Sequence, residues 1–234
     1  MPGGFDYRRY LEWSGIRDEG LLRAVNDHYA KLFAGRRRVV DLGCGPGDFL
    51  DAVSRAGVRC AGVERDPALF ECVRGKGHEC MNVDLFEFLE SCPPGEFDGM
   101  FASHVIEHLE PEKVVRLAEL AHGALPRDGL LVLLFPDPQS LYMLSDFWKD
   151  PTHVRFYHGD FVAFLLAEKG FEVSRGAPFN FRDYPEKLKK SLRKRAMEAA
   201  QGFLHRQLGL KRYTRLLDQL WDRPTEACVV GRRK

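Results

Sequence analysis

The sequence predicts an α/β fold in which helices cover both faces of a doubly wound, seven-stranded and mostly parallel sheet. Three observations support this prediction. Strand-like and helix-like patterns alternate along most of the chain, as in βαβ units. The run LLVLLF at residues 130–135 is apolar throughout, which is typical of a central strand with two buried faces. A glycine-rich turn at 43–47 follows the first strand.

The N-terminal region 1–35 is predicted to form a helical cap. Apolar side chains recur there at the spacing of one helix face, namely at Leu21, Leu22, Val25, Tyr29 and Leu32. Gly35 then provides a helix stop.

The region 36–177 is predicted to form the core of the domain. Its six strands are predicted at 37–42, 58–63, 79–83, 97–103, 130–135 and 171–174. Helices are predicted between them at 48–55, 67–74, 85–90, 111–123 and 161–168. Because crossovers between parallel strands are right-handed, this order gives a Rossmann-like arrangement. Its ligands bind at the carboxyl ends of the strands, near the point where strand order reverses.

A basic helical insertion is predicted at 178–223, before the seventh strand at 225–231 in the last segment, 224–234. Two apolar stripes at helical spacing support it: Leu188, Leu192, Ala196, Ala199 and Phe203, then Tyr213, Leu216, Leu217, Leu220 and Trp221. We interpret it as an insertion or lid, so that residues 1–234 form a single domain.

Composition excludes several classes of protein. The formal net charge of +1 gives no overall field that would attract nucleic acid. The six cysteines include no C-x-x-C pair and no zinc-type spacing, and we interpret them as small buried thiols. The N-terminus carries charges where a signal peptide needs an apolar run, and no run approaches the roughly 20 apolar residues of a membrane helix. We therefore expect a soluble, reduced, cytoplasmic protein.

The glycine-rich turn is the most informative motif, and residues 39–47 read VVDLGCGPG. Glycines let the backbone turn sharply and approach a ligand closely, and the helix that begins near Asp48 presents free N–H groups. A dinucleotide fingerprint would be G-x-G-x-x-G, whereas here the third glycine comes one residue early. Asp41 would also repel a pyrophosphate but would favour a sulfonium and an ammonium group. The motif therefore favours S-adenosylmethionine over a dinucleotide.

The pattern D-x-G-x-G-x-G at 41–47 resembles the first motif of the class I S-adenosylmethionine-dependent methyltransferases. The resemblance implies methyl transfer from that cofactor and a set of cofactor-binding residues at successive strand ends. These are Asp41, Gly43, Cys44, Gly45, Gly47, Glu64, Arg65, Asp84, Leu85, Ser103 and His104. Glu64 would accept hydrogen bonds from the ribose hydroxyls, as in Rossmann proteins generally. By the same resemblance Asp84 would accept from the adenine amino group, and the Leu85 N–H would reach a ring nitrogen.

A narrower resemblance concerns bacterial methyltransferases of surface polysaccharides and O-antigens. It is carried by the phrases GDFLDAV, VIEHL, FWKDPTHVRFY and FLLAEKGFEV, and loosely by YRRYLEWSG near the N-terminus. It implies transfer to an oxygen of a sugar or glycan-linked acceptor. The chain departs from this subgroup at Phe156 and Tyr157, where a proline is usual, and in the segment 184–223, which has no counterpart. Both departures are candidates for acceptor recognition.

His104, Glu107 and His108 follow the fourth strand and would share one face if a helix begins there. The H-x-x-E-H pattern could supply a general base or three metal ligands. It also resembles the E-x-x-E-H metal site of some methyltransferases, with His104 in place of the first glutamate. The alternative is a site without metal, in which Glu107 caps a helix and His108 packs.

His153, flanked by Asp150 and Arg155, is the next candidate base for a hydroxyl acceptor. The segment could fold over the pocket as a substrate loop, or it could be a structural turn capped by Asp150. His104, His108 and His153 are thus the candidate catalytic residues.

The segment KLKKSLRKR at 187–195 is strongly basic. It could be a solvated helix face, or it could bind an anionic lipid-linked or glycan acceptor, or RNA. The remaining alternatives for function are therefore a small-molecule or RNA methyltransferase, and a non-catalytic protein that keeps the cofactor pocket. Asp41 and the glycine spacing argue against a nucleotide-sugar or dinucleotide enzyme.

Overall fold

The computed structural model describes residues 19–179 and 224–234. In this part of the chain seven strands form one sheet, in the order β3-β2-β1-β4-β5-β7-β6. They are β1 (Arg38–Leu42), β2 (Arg59–Val63), β3 (Glu79–Met81), β4 (Gly99–Ser103), β5 (Leu130–Pro136), β6 (Phe171–Arg175) and β7 (Glu226–Arg233). Strands β1 to β5 pair in parallel, whereas β7 runs antiparallel between β5 and β6. The predicted seven-stranded, mostly parallel sheet is confirmed.

Seven α-helices are described: α1 (Glu19–Ala30), α2 (Asp48–Arg55), α3 (Pro67–Gly75), α4 (Leu85–Ser91), α5 (Pro111–Ala124), α6 (Leu141–Phe147) and α7 (Gly159–Glu168). Short 3-10 turns occupy Lys31–Phe33 and Ile106–His108. Five of these helices coincide with helices predicted for the core, α1 lies in the predicted N-terminal cap, and α6 was not predicted. Residues 1–18 and the basic segment 187–195, with the rest of 180–223, lie outside the described residues.

Local sequence explains where the helices next to the site begin. Helix α3 starts because the Asp66 carboxylate accepts from the backbone N–H groups of Ala68 and Leu69, and Pro67 suits the first turn. Helix α4 starts in the same way, with Asp84 accepting from Phe86 N–H at 2.8 Å.

The core lies on both faces of the sheet, as the doubly wound arrangement requires. One face buries Leu117 of α5 and Val162 of α7, and the other buries Phe33 and Phe49 against Phe101 of β4. The rings of Phe49 and Phe101 stack with their centroids 3.9 Å apart. Among the described helices, none has both the length and the apolar character needed to cross a membrane.

The sheet order reverses at β1, which has β2 on one side and β4 on the other. In such sheets a crevice opens beyond the carboxyl ends of the two strands at the reversal. The ends of β1 and β4 therefore mark the position of the site.

Candidate active site

The glycine loop after β1 has the backbone that its sequence predicts. Gly43, Gly45 and Gly47 have φ angles of 77°, 53° and 84°, a region that residues with a Cβ rarely adopt. A Cβ added to Gly45 would meet nothing within 4 Å, whereas one on Gly43 would approach Val105 Cγ2 to 3.0 Å. The space beside Gly45 lets a ligand approach the loop backbone.

The side chain of Cys44 packs behind this loop. Its Sγ lies 3.9 Å from Cys80 Sγ, and it would be only 2.5 Å from a Cβ placed on Gly62 of β2. The hydrogen bond with Cys80 and burial raise the pKa of the Cys44 thiol, so it stays neutral. Cys44 can therefore contribute its backbone to a ligand in the crevice, while its side chain fills the space behind.

Two buried carboxylates lie below the loop, on Asp41 and Glu64. Burial, followed by the charge of Glu64, raises the pKa of Asp41 well above its ordinary value. A positive ligand would offset both effects, whereas a pyrophosphate would strengthen them. The crevice thus fits the sulfonium and ammonium charges of S-adenosylmethionine.

Glu64 also holds the loop to the end of β2. Its Oε2 accepts from Gly45 N–H at 2.9 Å and its Oε1 from Asp66 N–H at 2.8 Å. Each carboxylate oxygen keeps a second lone pair for a further donor. Binding of ribose hydroxyls by Glu64 therefore stays a prediction that this geometry allows. The neighbouring Arg65 is exposed at the same strand end.

Asp84 and Leu85 lie where β3 passes into α4. The Asp84 carboxylate caps this helix through Oδ1, and Asp84 is only partly buried. Leu85 is the first helical residue, so its N–H belongs to the first turn, which has no intrahelical partner. Their predicted contacts with adenine are untested.

His104 directly follows Ser103 at the end of β4 and adopts a left-handed backbone conformation with φ of 55°. Its Nδ1 lies 3.0 Å from Glu107 Oε1 and its Nε2 lies 3.0 Å from Glu226 Oε1. Desolvation opposes a charge on this ring, but the hydrogen bonds and charges of Glu107 and Glu226 raise the pKa of His104 to about 10. His104 is therefore a paired cation in this arrangement, which argues against its predicted role as a general base.

Glu226 is a site residue that sequence reasoning missed. It begins β7, opposite Pro136 at the end of β5, and its Oε2 accepts from the Tyr29 hydroxyl at 3.2 Å. The one local signal was an acidic residue at the start of an otherwise apolar strand, EACVV.

The structure groups the H-x-x-E-H residues differently from the predicted three-ligand set. His104 bonds to Glu107, but both of its ring nitrogens are occupied by carboxylates. His108 instead lies beside His153, with ring centroids 4.7 Å apart. Glu107 and His108 also lie in the 3-10 turn Ile106–His108 rather than at the start of an α-helix, and His104 precedes that turn.

The segment around His153 is a turn that docks on Glu107. Asp150 Oδ1 accepts from the Thr152 backbone and hydroxyl at 2.8 and 2.6 Å, and Val154 N–H donates to the Glu107 carbonyl at 2.8 Å. This geometry supports the structural turn over the substrate loop. Burial and the neighbouring His108 lower the pKa of His153.

Phe156 and Tyr157 pack this turn against the fold. Phe156 stacks on Phe147 with centroids 3.7 Å apart, and the buried Tyr157 donates its hydroxyl to the Leu109 carbonyl at 2.7 Å. Both side chains thus have packing roles, which argues against their predicted part in acceptor recognition. Arg155 lies over the Tyr157 ring, 5.4 Å from its centroid.

A polar cleft of about 260 Å³ adjoins the crevice at the same edge of the sheet. Its polar lining residues are Asp137, Gln139, His158, Asp160, Arg175 and Glu226. Glu226 thus faces the cleft and also holds His104 at the end of β4.

The fold and the crevice define the class, a Rossmann-like domain, and such domains bind their ligands at the switch point, which here lies between β1 and β4. The chain belongs to the methyltransferase-domain family, whose model matches residues 9–175. Its cofactor is S-adenosylmethionine.

Solved methyltransferase structures resemble the chain over nearly its whole length. An S-adenosylmethionine-dependent methyltransferase from Archaeoglobus fulgidus is 26% identical with a TM-score of 0.78, and the match covers 97% of this chain and 100% of that one. A Thermotoga maritima protein, described as a possible histamine N-methyltransferase, is 15% identical with a TM-score of 0.62, and covers 97% and 95% of the two chains. Mitomycin 7-O-methyltransferase is 21% identical with a TM-score of 0.62 and covers 97% of this chain and 57% of its own. None of the curated proteins matches the chain.

Proposed function

We propose that this protein methylates an oxygen of a sugar or glycan-linked acceptor that binds in the polar cleft. The observation that supports this acceptor class is the chemistry of the cleft wall. Carboxylates, an amide, an imidazole and a guanidinium face one small space. Each hydroxyl of a sugar both donates and accepts hydrogen bonds, so such a wall suits a polyhydroxylated ligand better than an apolar one.

The bound cofactor supplies an electrophilic methyl group on a positively charged sulfur. The residues of this chain hold that cofactor and orient the acceptor toward it. Asp41, Glu64 and the glycine loop form the cofactor side at β1 and β2. The acceptor side lies at β5, β6 and β7, where Gln139 and Arg175 face the cleft. Holding both partners in one geometry is the main contribution that an enzyme makes to such a transfer.

Glu226 connects the two sides. It lines the cleft, and the His104 imidazole that it holds at 3.0 Å follows Ser103 at the end of β4. We assign to this carboxylate the hydrogen bond from the acceptor hydroxyl, because a carboxylate can orient a hydroxyl and take its proton. His104 then positions Glu226, while His108 and His153 lie together beside Glu107.

The acceptor class can be tested by incubating the purified protein with S-adenosylmethionine and a panel of acceptors. The panel contains bacterial oligosaccharides, nucleotide sugars, an RNA and small amines. We expect S-adenosylhomocysteine to form with a hydroxylated sugar acceptor, and mass spectrometry to find one added methyl on oxygen. Product with RNA or amines alone would reject the proposal.

The role of Glu226 can be tested with Glu226→Gln, which keeps the size of the side chain but removes the base. We expect kcat to fall by about 100-fold or more, the typical contribution of a positioned base, with little change in affinity for S-adenosylhomocysteine. Glu172→Gln is the matched control, because Glu172 is exposed on the neighbouring strand and does not line the cleft. Equal kcat values for Glu226→Gln and wild type would remove Glu226 from the reaction.

A further inference from the structure

A compact cluster of three side chains lies beside His104, and its members are Glu107, His108 and His153. One potential ligand atom of each lies within 4.8 Å of the others. The cluster is largely shielded from solvent, since the side chains of Glu107 and His153 are 1% and 10% exposed. Its residues come from the turn after β4 and from the segment after α6, which the Val154 N–H and the Glu107 carbonyl join at 2.8 Å.

The hydrogen bonds of the two histidines fix which ring nitrogens carry a proton. His153 Nδ1 lies 2.7 Å from the Phe147 carbonyl oxygen, which can only accept, so this nitrogen donates. His108 Nδ1 lies 3.2 Å from the Thr152 carbonyl and 2.9 Å from its Oγ1, whose own proton goes to Asp150. In the tautomers that these bonds select, Nε2 of each ring carries the lone pair, and His153 Nε2 lies 3.8 Å from Asp150 Oδ2. Histidines that bind metals are held in this way, with the other nitrogen donating to a carbonyl.

The third member of the cluster carries an unsatisfied negative group. Glu107 Oε1 accepts from His104, but Oε2 is buried and finds no hydrogen-bond partner within the described part of the chain. A buried carboxylate oxygen without a donor is unfavourable unless a cation lies against it. The cluster thus contains two imidazole nitrogens with a lone pair, on His108 and His153, and one carboxylate oxygen without a donor, on Glu107.

We propose that Glu107 Oε2, His108 Nε2 and His153 Nε2 bind a divalent metal ion of the zinc class. Two imidazoles and one carboxylate are a known three-ligand set for zinc, and they leave a fourth position for water or an acceptor oxygen. The mixed nitrogen and oxygen donors argue against calcium and magnesium, which prefer oxygen ligands alone. The metal would tie the 150–157 segment to the turn that follows β4. The proposal does not depend on the identity of the methyl acceptor.

The experiment is a calorimetric titration of the full chain with Zn²⁺ after removal of metals by a chelator. We expect wild type to bind one Zn²⁺ per chain and to gain thermal stability from it. His153→Gln should weaken this affinity at least about 100-fold, because loss of even a supporting residue costs about 10- to 100-fold. His78→Gln is the matched control, since the His78 side chain is 13% exposed and lies beside an aspartate, Asp51, outside the cluster.

Wild type without stoichiometric Zn²⁺ binding would overturn the proposal. Equal affinities for wild type and His153→Gln would also overturn it, because the ion would then bind elsewhere on the surface. Circular dichroism checks that the variants fold without metal. If His153→Gln does not fold, Glu107→Gln, which preserves size, replaces it, and the visible absorption of Co²⁺-loaded wild type reports the ligand set independently. Featureless Co²⁺ spectra for wild type would count against the cluster, while leaving the sugar-acceptor proposal intact.

Discussion

The Glu64 carboxylate accepts hydrogen bonds from the N–H groups of Gly45 and Asp66, so it fixes the glycine loop against β2. In Glu64→Gln the amide nitrogen cannot accept, and one of these N–H groups loses its partner. We expect the affinity for S-adenosylhomocysteine to fall about tenfold or more, because a hydrogen bond to a charged group contributes about 1.5–3 kcal/mol. Isothermal titration calorimetry measures this change directly.

Glu71→Gln provides the control for that measurement. The Glu71 side chain is 66% exposed on α3, beside Arg74, and its substitution should leave the affinity unchanged. If Glu64→Gln also binds S-adenosylhomocysteine as wild type does, the cofactor does not use the end of β2.

His104 combines a strained backbone with a pair of carboxylate partners. His104→Asn and His104→Ala both remove a donor from the buried Glu107 and Glu226. We therefore expect each to lower the free energy of unfolding by about 1–3 kcal/mol in urea titrations. Ala should be the less stable of the two, because asparagine tolerates a positive φ better than alanine.

A variant at Asp128 measures the cost of a left-handed backbone apart from the loss of hydrogen bonds to Glu107 and Glu226. It is the other non-glycine residue with a positive φ, 63°, in the described ranges, but it is not part of the His104 network. Asp128→Ala should therefore show the backbone cost alone. A His104→Asn variant as stable as wild type would mean that the carboxylate pair adds nothing to folding.

At the scale of elements, β2 and the glycine loop fit together only because Gly62 lacks a side chain. A Cβ at Gly62 would lie 2.5 Å from Cys44 Sγ and 3.0 Å from Leu50 Cδ1. Gly62→Ala should therefore destabilise the protein by about 1–3 kcal/mol through overpacking, as measured by thermal or urea unfolding. Adding Cys44→Ala should restore part of the loss.

Gly75→Ala is the matched control for this prediction. Gly75 ends α3, and a Cβ there meets nothing within 4 Å. Because alanine favours helices over glycine by about 1 kcal/mol, this variant should be as stable as wild type or slightly more stable. A Gly62→Ala protein of undiminished stability would show that the loop can move away from β2.

Most elements could be predicted because their signals are local. The strands of the core are short apolar runs between turn residues, and Pro67 and Pro111 mark helix starts. Helix α6 (Leu141–Phe147) was missed because it spans only 7 residues, and its Ser140 makes no capping hydrogen bond through its side chain. It differs in this from the equally short α4, whose first turn is capped by the side chain of Asp84.

At the scale of the whole molecule, the sequence predicted the sheet but not the position of its last strand. Three of the four parallel pairs join strands that are consecutive in the chain, so they follow from a strand–helix–strand unit with a right-handed crossover, whereas β1 and β4 pair at the reversal of strand order. Strand β7 instead enters between β5 and β6, and its antiparallel direction depends on pairing with strands that are distant in sequence. No local pattern carries that information.

The candidate site shows the same contrast between local sequence signals and contacts that are distant in sequence. The predicted cofactor residues lie in order at successive strand ends, so a strand prediction was enough to bring them to one edge. The Glu226 contact with His104 spans 122 residues, and the contact of His108 with Thr152 spans 44. Because tertiary packing alone brings these residues together, the polar cleft and the cluster of Glu107, His108 and His153 became visible only in the structure.

The antiparallel pairing of β6 with β7 has a consequence for how such a chain can evolve. The segment between these strands leaves the sheet and returns to it at neighbouring points, where Gly176 N–H donates to the Cys228 carbonyl at 3.0 Å. Pro178 and Pro224, near its two ends, both line the cleft. The entropic cost of closing a loop grows slowly with its length. The sheet can therefore keep its register when this segment is lengthened or replaced by another sequence. Such a change would meet the cleft through Pro178 and Pro224 and would leave the glycine loop and its strand ends unaltered.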